Sequence, residues 1–285
     1  TFQMDILGYS SSGWLPSALY LVLLLILGLR AKGSVDSPLF AGLVQAGIFL
    51  ALLVHAVELH DSVFTDQGFV FGFAQDLSLI AWVGLAFYWF QSWFLPISSL
   101  RWMALLFACA CTLLPNLFPG TLISPKAVSD PWFKGHFIVA TIAVGLLSLA
   151  AMHALLMSVQ DRALHRQFAF VPNSRAAHWL EELPPLMTME SLLFNLLYVG
   201  FALLTLTVFS GLLFSQALFG KPFIFDHKTI FALISWFLFV SLLIARWRVG
   251  LRGRAAIRWV LSAYTALLLA YVGSRFVLEV ILQRA

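Results

Sequence analysis

The sequence predicts an all-α integral membrane protein, a bundle of about eight transmembrane helices, on three observations. Hydrophobic residues make up 61% of the chain and charged residues 11%, whereas a soluble globular protein has roughly 25% charged residues. The mean hydropathy is +0.92. The apolar residues form continuous runs without the alternation of β-barrel strands. Because one helix needs about 20 apolar residues to cross a bilayer, the 285 residues accommodate about eight spans with short connections.

A single membrane domain is therefore expected over residues 1–285, with its helices separated by short breaks rich in charged residues, proline and glycine. The first apolar run has no basic segment before it and no A-x-A site after it, so we expect no cleavable signal peptide. The connection at 160–189 is the longest and is expected in the cytoplasm. The predicted spans are 13–30, 39–58, 69–91, 98–116, 134–159, 190–217, 228–246 and 256–281.

The Lys and Arg residues predict the orientation of this bundle. With the N-terminus outside the cytoplasm, 11 of the 17 basic residues fall in cytoplasmic connections and 6 fall outside. Cytoplasmic connections of membrane proteins carry the excess of Lys and Arg, so we expect both termini outside. The sequence pI of about 9.3 then reflects topology and contact with the anionic lipid bilayer. No basic run is interleaved with aromatic residues as a nucleic-acid surface requires, so nucleic acid is not an expected partner.

Histidines in or beside the spans are the main functional signal, because ionisable groups are costly in a membrane. With this orientation, His60, His136 and His227 come from separate spans to the outer membrane face. His55 lies about 7 Å deeper than His60, and His153 lies near the cytoplasmic side. Neutral imidazole ligates haem iron, copper or zinc, which predicts a haem or metal site at this face. The alternative is that these are interfacial residues that bond water or helix ends, since no H-x-x-x-H or H-E-x-x-H spacing is present.

Carboxylates near these histidines have two open interpretations. Glu58 follows His55 by three residues on one helical face, and Asp76 lies about seven residues into the third span. Either could orient a ligating histidine through its second ring nitrogen, or cap and pair near the interface. Glu190, at the start of the sixth span, is expected to complement the helix dipole. No nucleophile elbow, phosphate-binding loop or paired-carboxylate motif predicts an enzyme.

The second half of the chain resembles the cytochrome c assembly family of CcsA/HemX-type membrane proteins, in particular its small YpjD-like branch. A looser similarity to the family's early histidine-bearing helix covers residues 39–91, which include LLVHAVELH. The segments that carry the resemblance are WFKGHFIVATIAVGLLSLAAMHALLM (132–157), LPPLMTMESLLF (183–194), GFALLTLTVFSGLLF (200–214), FDHKTIFALISW (225–236) and GLRGRAAIRWVLSAYTALLLAYVGSRFVLE (250–279).

The resemblance implies a location in the bacterial inner membrane and haem b as a cofactor, since histidines of the family's best understood members ligate haem and a tryptophan-rich external segment presents it to apocytochrome c. His136 corresponds to the first external histidine, and His55 or His60 corresponds to the early-helix histidine. Three departures stand against a complete haem-loading apparatus. The loop ALFGKPFIF lacks tryptophan, Ile244 replaces the second intramembrane histidine, and the last span ends without a second external histidine. His227, which replaces a family proline, is a candidate to compensate.

Two functions follow from these expectations. The first is a haem-handling protein of cytochrome c biogenesis, which binds haem or a metal through histidines near the outer face and has haem and c-type cytochrome assembly components as partners. The second is a cofactor-free scaffold or accessory subunit that retains the fold and stabilises a partner membrane complex.

Overall fold

Eight long helices form the described part of the chain, joined at one end by a small antiparallel sheet. The computed structural model describes residues 13–30, 37–65, 68–95, 97–123, 131–165, 183–219 and 227–282. The helices are α1 (Leu15–Arg30), α2 (Pro38–Val63), α3 (Phe73–Gln91), α4 (Arg101–Leu117), α5 (Pro131–His165), α6 (Leu186–Phe219), α7 (His227–Val249) and α8 (Gly253–Leu268). The strands are β1 (Phe64–Thr65), β2 (Gly68–Phe71) and β3 (Thr121–Ile123).

The expectation of an all-α membrane protein is confirmed in its coarse form. Six helices are long and apolar enough to cross a membrane, namely α2, α3, α5, α6, α7 and the helix that starts at Gly253, while α1 and α4 are shorter apolar helices. The number of eight spans and the orientation of the bundle remain predictions. Residues 166–182 of the predicted connector lie outside the described residues.

The antiparallel sheet is the main departure from the predicted elements. The third span was expected from residue 69, but residues 68–71 form β2, and α3 begins at Phe73. β2 lies between β1 and β3 and pairs with both in antiparallel register. A second, small apolar cluster of Val63, Phe69 and Phe71 forms where this sheet meets the helices.

The two ends of the bundle differ in composition and are named here for that reason. The sheet end contains the strands together with the C-termini of α2 and α4 and the N-termini of α3, α5 and α7. The arginine end contains the N-termini of α4, α6 and α8 and the C-termini of α5 and α7. The main core between the two ends is mostly apolar, and it also encloses polar side chains such as His55 and His153.

Close helix packing in this core depends on glycine. A Cβ at Gly145 of α5 would lie 2.5 Å from Val83 Cγ1 of α3, and a Cβ at Gly200 of α6 would lie 2.8 Å from Leu147 Cδ2. Any larger residue would force these helices apart. Small residues at helix contacts are typical of membrane bundles, because they permit close backbone approach.

The connection from α7 to α8 is a tight turn at the arginine end. Gly250 has a φ of +65°, and its N–H bonds the Arg246 carbonyl while the Leu251 N–H bonds the Ala245 carbonyl. The bond from the Gly250 N–H to the Arg246 carbonyl is the 5→1 bond of an αL cap, for which glycine is favoured at the left-handed position. The turn fixes where α8 begins relative to α7.

The last helix departs from the α-helical hydrogen-bonding pattern in two places towards the sheet end. After α8, residues Leu269–Gly273 form a π-helical turn, Ser274–Phe276 return to the α-helical pattern, and Val277–Ile281 form a second π-helical turn. π-helical turns are rare in proteins overall, but many of those that occur lie near functional sites. The first of them contains Tyr271, which belongs to the site described next.

Candidate functional site at the sheet end

His136 lies five residues after the start of α5 and contacts α6. Its Nδ1 is 2.8 Å from Ser210 Oγ, and the Ser210 hydroxyl donates to the Thr207 carbonyl at 3.1 Å. Gly211 leaves room for the ring, since a Cβ there would lie 3.4 Å from His136 Cε1. The half-buried ring is therefore fixed on one side by the polar residues of α6.

The hydrogen bond to Ser210 engages Nδ1 of the imidazole. When the Ser210 hydroxyl donates to the Thr207 carbonyl, Nδ1 of His136 carries the proton and donates to Ser210 Oγ. Nε2 is then the nitrogen with the lone pair, and it bonds no described residue. A neutral imidazole whose other nitrogen is held by a hydrogen bond is the form that ligates a metal or haem iron.

One cationic side chain lies beside this histidine, and a second lies near Tyr271 and Phe71. Lys228 of α7 is near enough for its charge to act on His136, and its Nζ lies 5.1 Å from the centre of the Tyr271 ring. The Arg275 guanidinium lies 5.1 Å from the centre of the Phe71 ring, and its charge acts on Tyr271. These distances are within the range of cation–π contact. We call Lys228, Tyr271 and Arg275 the cationic cluster.

Aromatic rings from the sheet and the start of α5 pack together at the sheet end. Phe137 packs edge-on against Phe71 with ring centres 5.1 Å apart and against Phe69 at 6.3 Å. Phe69 is also 5.5 Å from Phe64, whose ring is 5.2 Å from that of His60. A continuous series of ring contacts thus connects the end of α2 with α5.

The other histidines expected at this face have open surroundings. His60 has a side chain that is 70% exposed, and its Nδ1 lies 3.1 Å from Asp61. His227 is the exposed first residue of α7, next to Lys228. Within the described ranges, no three His, Cys, Asp or Glu side chains gather as a metal site would require. The structure places Lys228, the neighbour of His227, near His136. The described residues do not form a centre of several histidines.

His55 lies in the bundle interior with both nitrogens bonded. Nδ1 is 3.0 Å from the Tyr20 hydroxyl of α1, and Nε2 is 2.9 Å from Ser78 Oγ of α3. The residue is 1% exposed. Ligation of a cofactor by His55 would require one of these bonds to break, so its observed role is to join three helices.

The two carboxylates expected to orient histidines make no hydrogen bond to these rings in the structure. The partners of His55 and His136 are hydroxyl groups. Glu58 is half-buried in α2, and its Oε2 has no partner among the described residues. Asp76 is buried in the first turn of α3, and its charge acts on Tyr271 of the cationic cluster.

His153 and Glu190 belong to the other half of the bundle. His153 is 1% exposed, and neither of its ring nitrogens has a partner among the described residues. Glu190 does more than complement a helix dipole. Its Oε1 accepts a bond from Arg246 at 2.6 Å, and its Oε2 accepts one from the Gly253 N–H at 3.2 Å. It therefore joins α6 to the turn between α7 and α8.

Comparison with known proteins places the chain in a family. The family model described as cytochrome C assembly protein matches residues 42–282. The inner membrane protein YpjD of Escherichia coli K12 is 28% identical over 239 residues, which cover 81% of this chain and 85% of that protein. The cytochrome c biogenesis protein CcsA of Synechococcus sp. CC9902 is 23% identical over 242 residues, 69% of this chain and 80% of that protein.

A third relative matches a shorter part of the chain. A 28.8 kDa protein of Azospirillum brasilense, named only for its position in a nifR3-like 5′ region, is 34% identical over 151 residues, 53% of each chain. The apolar helices and the relative named as an inner membrane protein give a multi-pass location in the bacterial inner membrane. Because the family model spans most of the sequence, the chain belongs to the cytochrome c assembly protein family.

Proposed function

We propose that this protein binds haem at the sheet end through Nε2 of His136 and handles it in cytochrome c biogenesis. The observation that carries the proposal is the ring of His136, whose Nδ1 is held by Ser210 and whose Nε2 bonds no described residue. Family membership supports haem as the ligand. When bound, haem would supply the iron that His136 ligates, while Ser210 fixes the imidazole.

A second histidine would help to hold the haem, and three candidates remain. His227 is our first choice, because its neighbour Lys228 acts on His136 and its own side chain is exposed. His60 is the next choice, since ring contacts connect it with Phe137. His55 is the third choice, because both of its nitrogens are already bonded.

The orientation proposed with this function places the sheet end outside the cytoplasm. The support is the excess of Lys and Arg at the arginine end, which the positive-inside rule assigns to the cytoplasm. A cysteine introduced at the exposed Leu122 of β3 is expected to react with a membrane-impermeant thiol reagent in intact spheroplasts. Reaction only after lysis would reverse the orientation.

The absorption spectrum of the purified protein tests haem binding. We expect a Soret band and the sharp α-band of a low-spin bis-histidine haem after reduction, with both bands lost in His136→Ala. His165→Ala is the matched control, because it ends the same helix at the arginine end and should keep the spectrum. A wild-type protein without a Soret band after incubation with haemin would overturn the proposal.

The alternative function is a cofactor-free scaffold that stabilises a partner membrane complex. It is favoured by His55, whose two nitrogens serve helix packing, and by the lack of a three-ligand cluster in the described ranges. It predicts a colourless protein that co-purifies in fixed stoichiometry with another membrane subunit. The same spectrum therefore separates the two functions.

A further inference from the structure

Asn195 lies on the outer surface of the bundle, inside the apolar segment of α6. That segment runs from Leu186 to Leu213, which is 28 residues, or about 42 Å at 1.5 Å per residue. A hydrocarbon layer about 30 Å thick, centred on the segment, extends about 15 Å to each side of its middle. Asn195 precedes the middle by about five residues, which is about 7 Å. Its exposed amide therefore belongs to the depth of the hydrocarbon layer.

No hydrogen bond joins the side chain of Asn195 to another described residue. Asn116, in contrast, donates from its amide to the Gly13 carbonyl at 2.9 Å. A side-chain amide has two donor protons and an acceptor oxygen. Lipid offers no hydrogen-bond partner for these groups, so their exposure to it is unfavourable. The position of Asn195 therefore indicates a polar partner from outside the chain.

Other exposed residues flank Asn195 along the same face of α6. Their separations alternate between three and four residues, which is the spacing of a seam between two parallel helices. Ser191 and Ala202 are small enough to permit close approach of a second helix. Tyr198 is 50% exposed and adds a hydroxyl group. We call this face the polar stripe, and it consists of Thr188, Ser191, Asn195, Tyr198 and Ala202.

We propose that the polar stripe binds the polar stripe of a second copy of this chain and forms a symmetric dimer in the membrane. Two copies inserted in the same orientation are related by a two-fold axis along the membrane normal. The two α6 helices then pack in parallel, and each residue on their crossing line meets its own equivalent.

The amide of Asn195 is suited to such an interface because it is both donor and acceptor. Two copies of Asn195 can satisfy each other through reciprocal N–H···O bonds. A different subunit would need a matching amide at the same depth, whereas a second copy supplies it by symmetry. One polar residue in an otherwise apolar seam is also a known means of fixing register and the number of helices. The dimer requires no haem, so this inference is independent of the function proposed above.

Energy transfer between labelled copies tests the dimer. Purified donor- and acceptor-labelled protein is reconstituted together in phosphatidylethanolamine–phosphatidylglycerol liposomes at decreasing protein-to-lipid ratios. An interhelical hydrogen bond contributes about threefold to about twentyfold to association in a membrane. We therefore expect Asn195→Leu, which removes two reciprocal bonds, to lower the dimerisation constant about tenfold. Asn195→Gln should retain part of the association, because it keeps the amide.

Ser262→Leu is the matched control for Asn195→Leu. Ser262 is exposed nine residues after the start of α8, and Asn195 lies nine residues after the start of α6 at the same end of the bundle. Loss of this hydroxyl should leave the dimerisation constant unchanged. Circular dichroism verifies that each variant is folded. A monomeric wild type at all ratios, or a folded Asn195→Leu protein that associates as tightly as the wild type, would overturn the proposal.

Oxidative cross-linking in native membranes tests which face is in contact. Ser191→Cys is expected to give a disulfide-linked dimer of twice the monomer mass, whereas Ser262→Cys is expected to stay monomeric. The wild type provides the background, because it already contains Cys109 and Cys111. Cross-linking through Ser262→Cys but not Ser191→Cys would assign the contact to another face and overturn the role of the polar stripe.

Discussion

The arginine end and the sheet end use the same basic residues for different purposes. At the arginine end, Arg246 bonds Glu190 and Arg254 bonds Asp161, so each guanidinium joins two helices through a carboxylate. At the sheet end, Lys228 and Arg275 lie over aromatic rings. The comparison indicates that basic side chains pair with carboxylates across helices at the arginine end, whereas those of the sheet end contact aromatic rings.

Each end also encloses one buried histidine, and these two differ in a second way. His55, towards the sheet end, bonds hydroxyl groups through both nitrogens. His153, towards the arginine end, bonds no described residue through either. A buried polar group is destabilising unless it is hydrogen-bonded. The two histidines are equally buried, but burial destabilises the fold at His153 and not at His55.

Breaking the ion pair at the arginine end should give the largest loss of stability. The side chains of Glu190 and Arg246 are 11% and 20% exposed, and Arg246 also stacks on Phe194 at 4.3 Å. We expect Glu190→Ala to lower the free energy of unfolding by about 3 kcal/mol, because it leaves a largely buried guanidinium without its carboxylate. Unfolding in detergent followed by circular dichroism measures this.

Arg254→Gln serves as the control for Glu190→Ala. It removes a pair whose arginine side chain is 58% exposed, so its effect should stay within about 1 kcal/mol. Equal losses of unfolding free energy in the two variants would contradict the view that the Glu190–Arg246 pair stabilises this end more than the Asp161–Arg254 pair does.

Replacement of His55 should produce an intermediate loss. His55→Leu leaves the buried hydroxyl groups of Tyr20 and Ser78 without their partner. We expect a decrease of about 2 kcal/mol in the free energy of unfolding of the cofactor-free protein. His60→Leu is the matched control on the same helix, and its exposed ring should make its effect small. A His55→Leu protein as stable as the wild type would show that these bonds do not hold the helices together.

Replacement of His153 should have the smallest effect and the opposite sign. His153→Leu removes a buried imidazole without partners and replaces it with an apolar side chain of similar size. We expect a gain of about 1 kcal/mol, read from the same unfolding curves. A marked loss of stability would mean that His153 bonds a polar partner in the native membrane. The buried histidines of the two ends would then both be hydrogen-bonded.

The helices were predictable from sequence because each is one long apolar run. β2 was missed for the same reason, since GFVF at 68–71 is as apolar as the α3 residues that follow it. The position of His136 near a helix start was also predictable from the sequence. Its partner Ser210 was not, because the two are 74 residues apart and only the packing of α5 on α6 brings them together.

The cationic cluster shows the same limit. Lys228 next to His227, in a helix start without an acidic residue, was a local signal that could have been noticed. Its proximity to Tyr271 and Arg275 depends on the rotation of the last helix, which a regular period of 3.6 residues per turn does not give. Long-range register and local departures from ideal geometry were therefore the parts that sequence alone left open.

The π-helical turn at Leu269–Gly273 has a consequence for the phase of the last helix. Hydrogen bonds from residue i to i+5 include one more residue per ring than those of an α-helix. One residue corresponds to about 100° of rotation in an α-helix. Loss of a single codon in this stretch would restore the α-helical phase and turn the side chain of Arg275 away from Phe71. Gain or loss of one residue at this turn would therefore change which face of the last helix meets the sheet end, without changing any residue in that face.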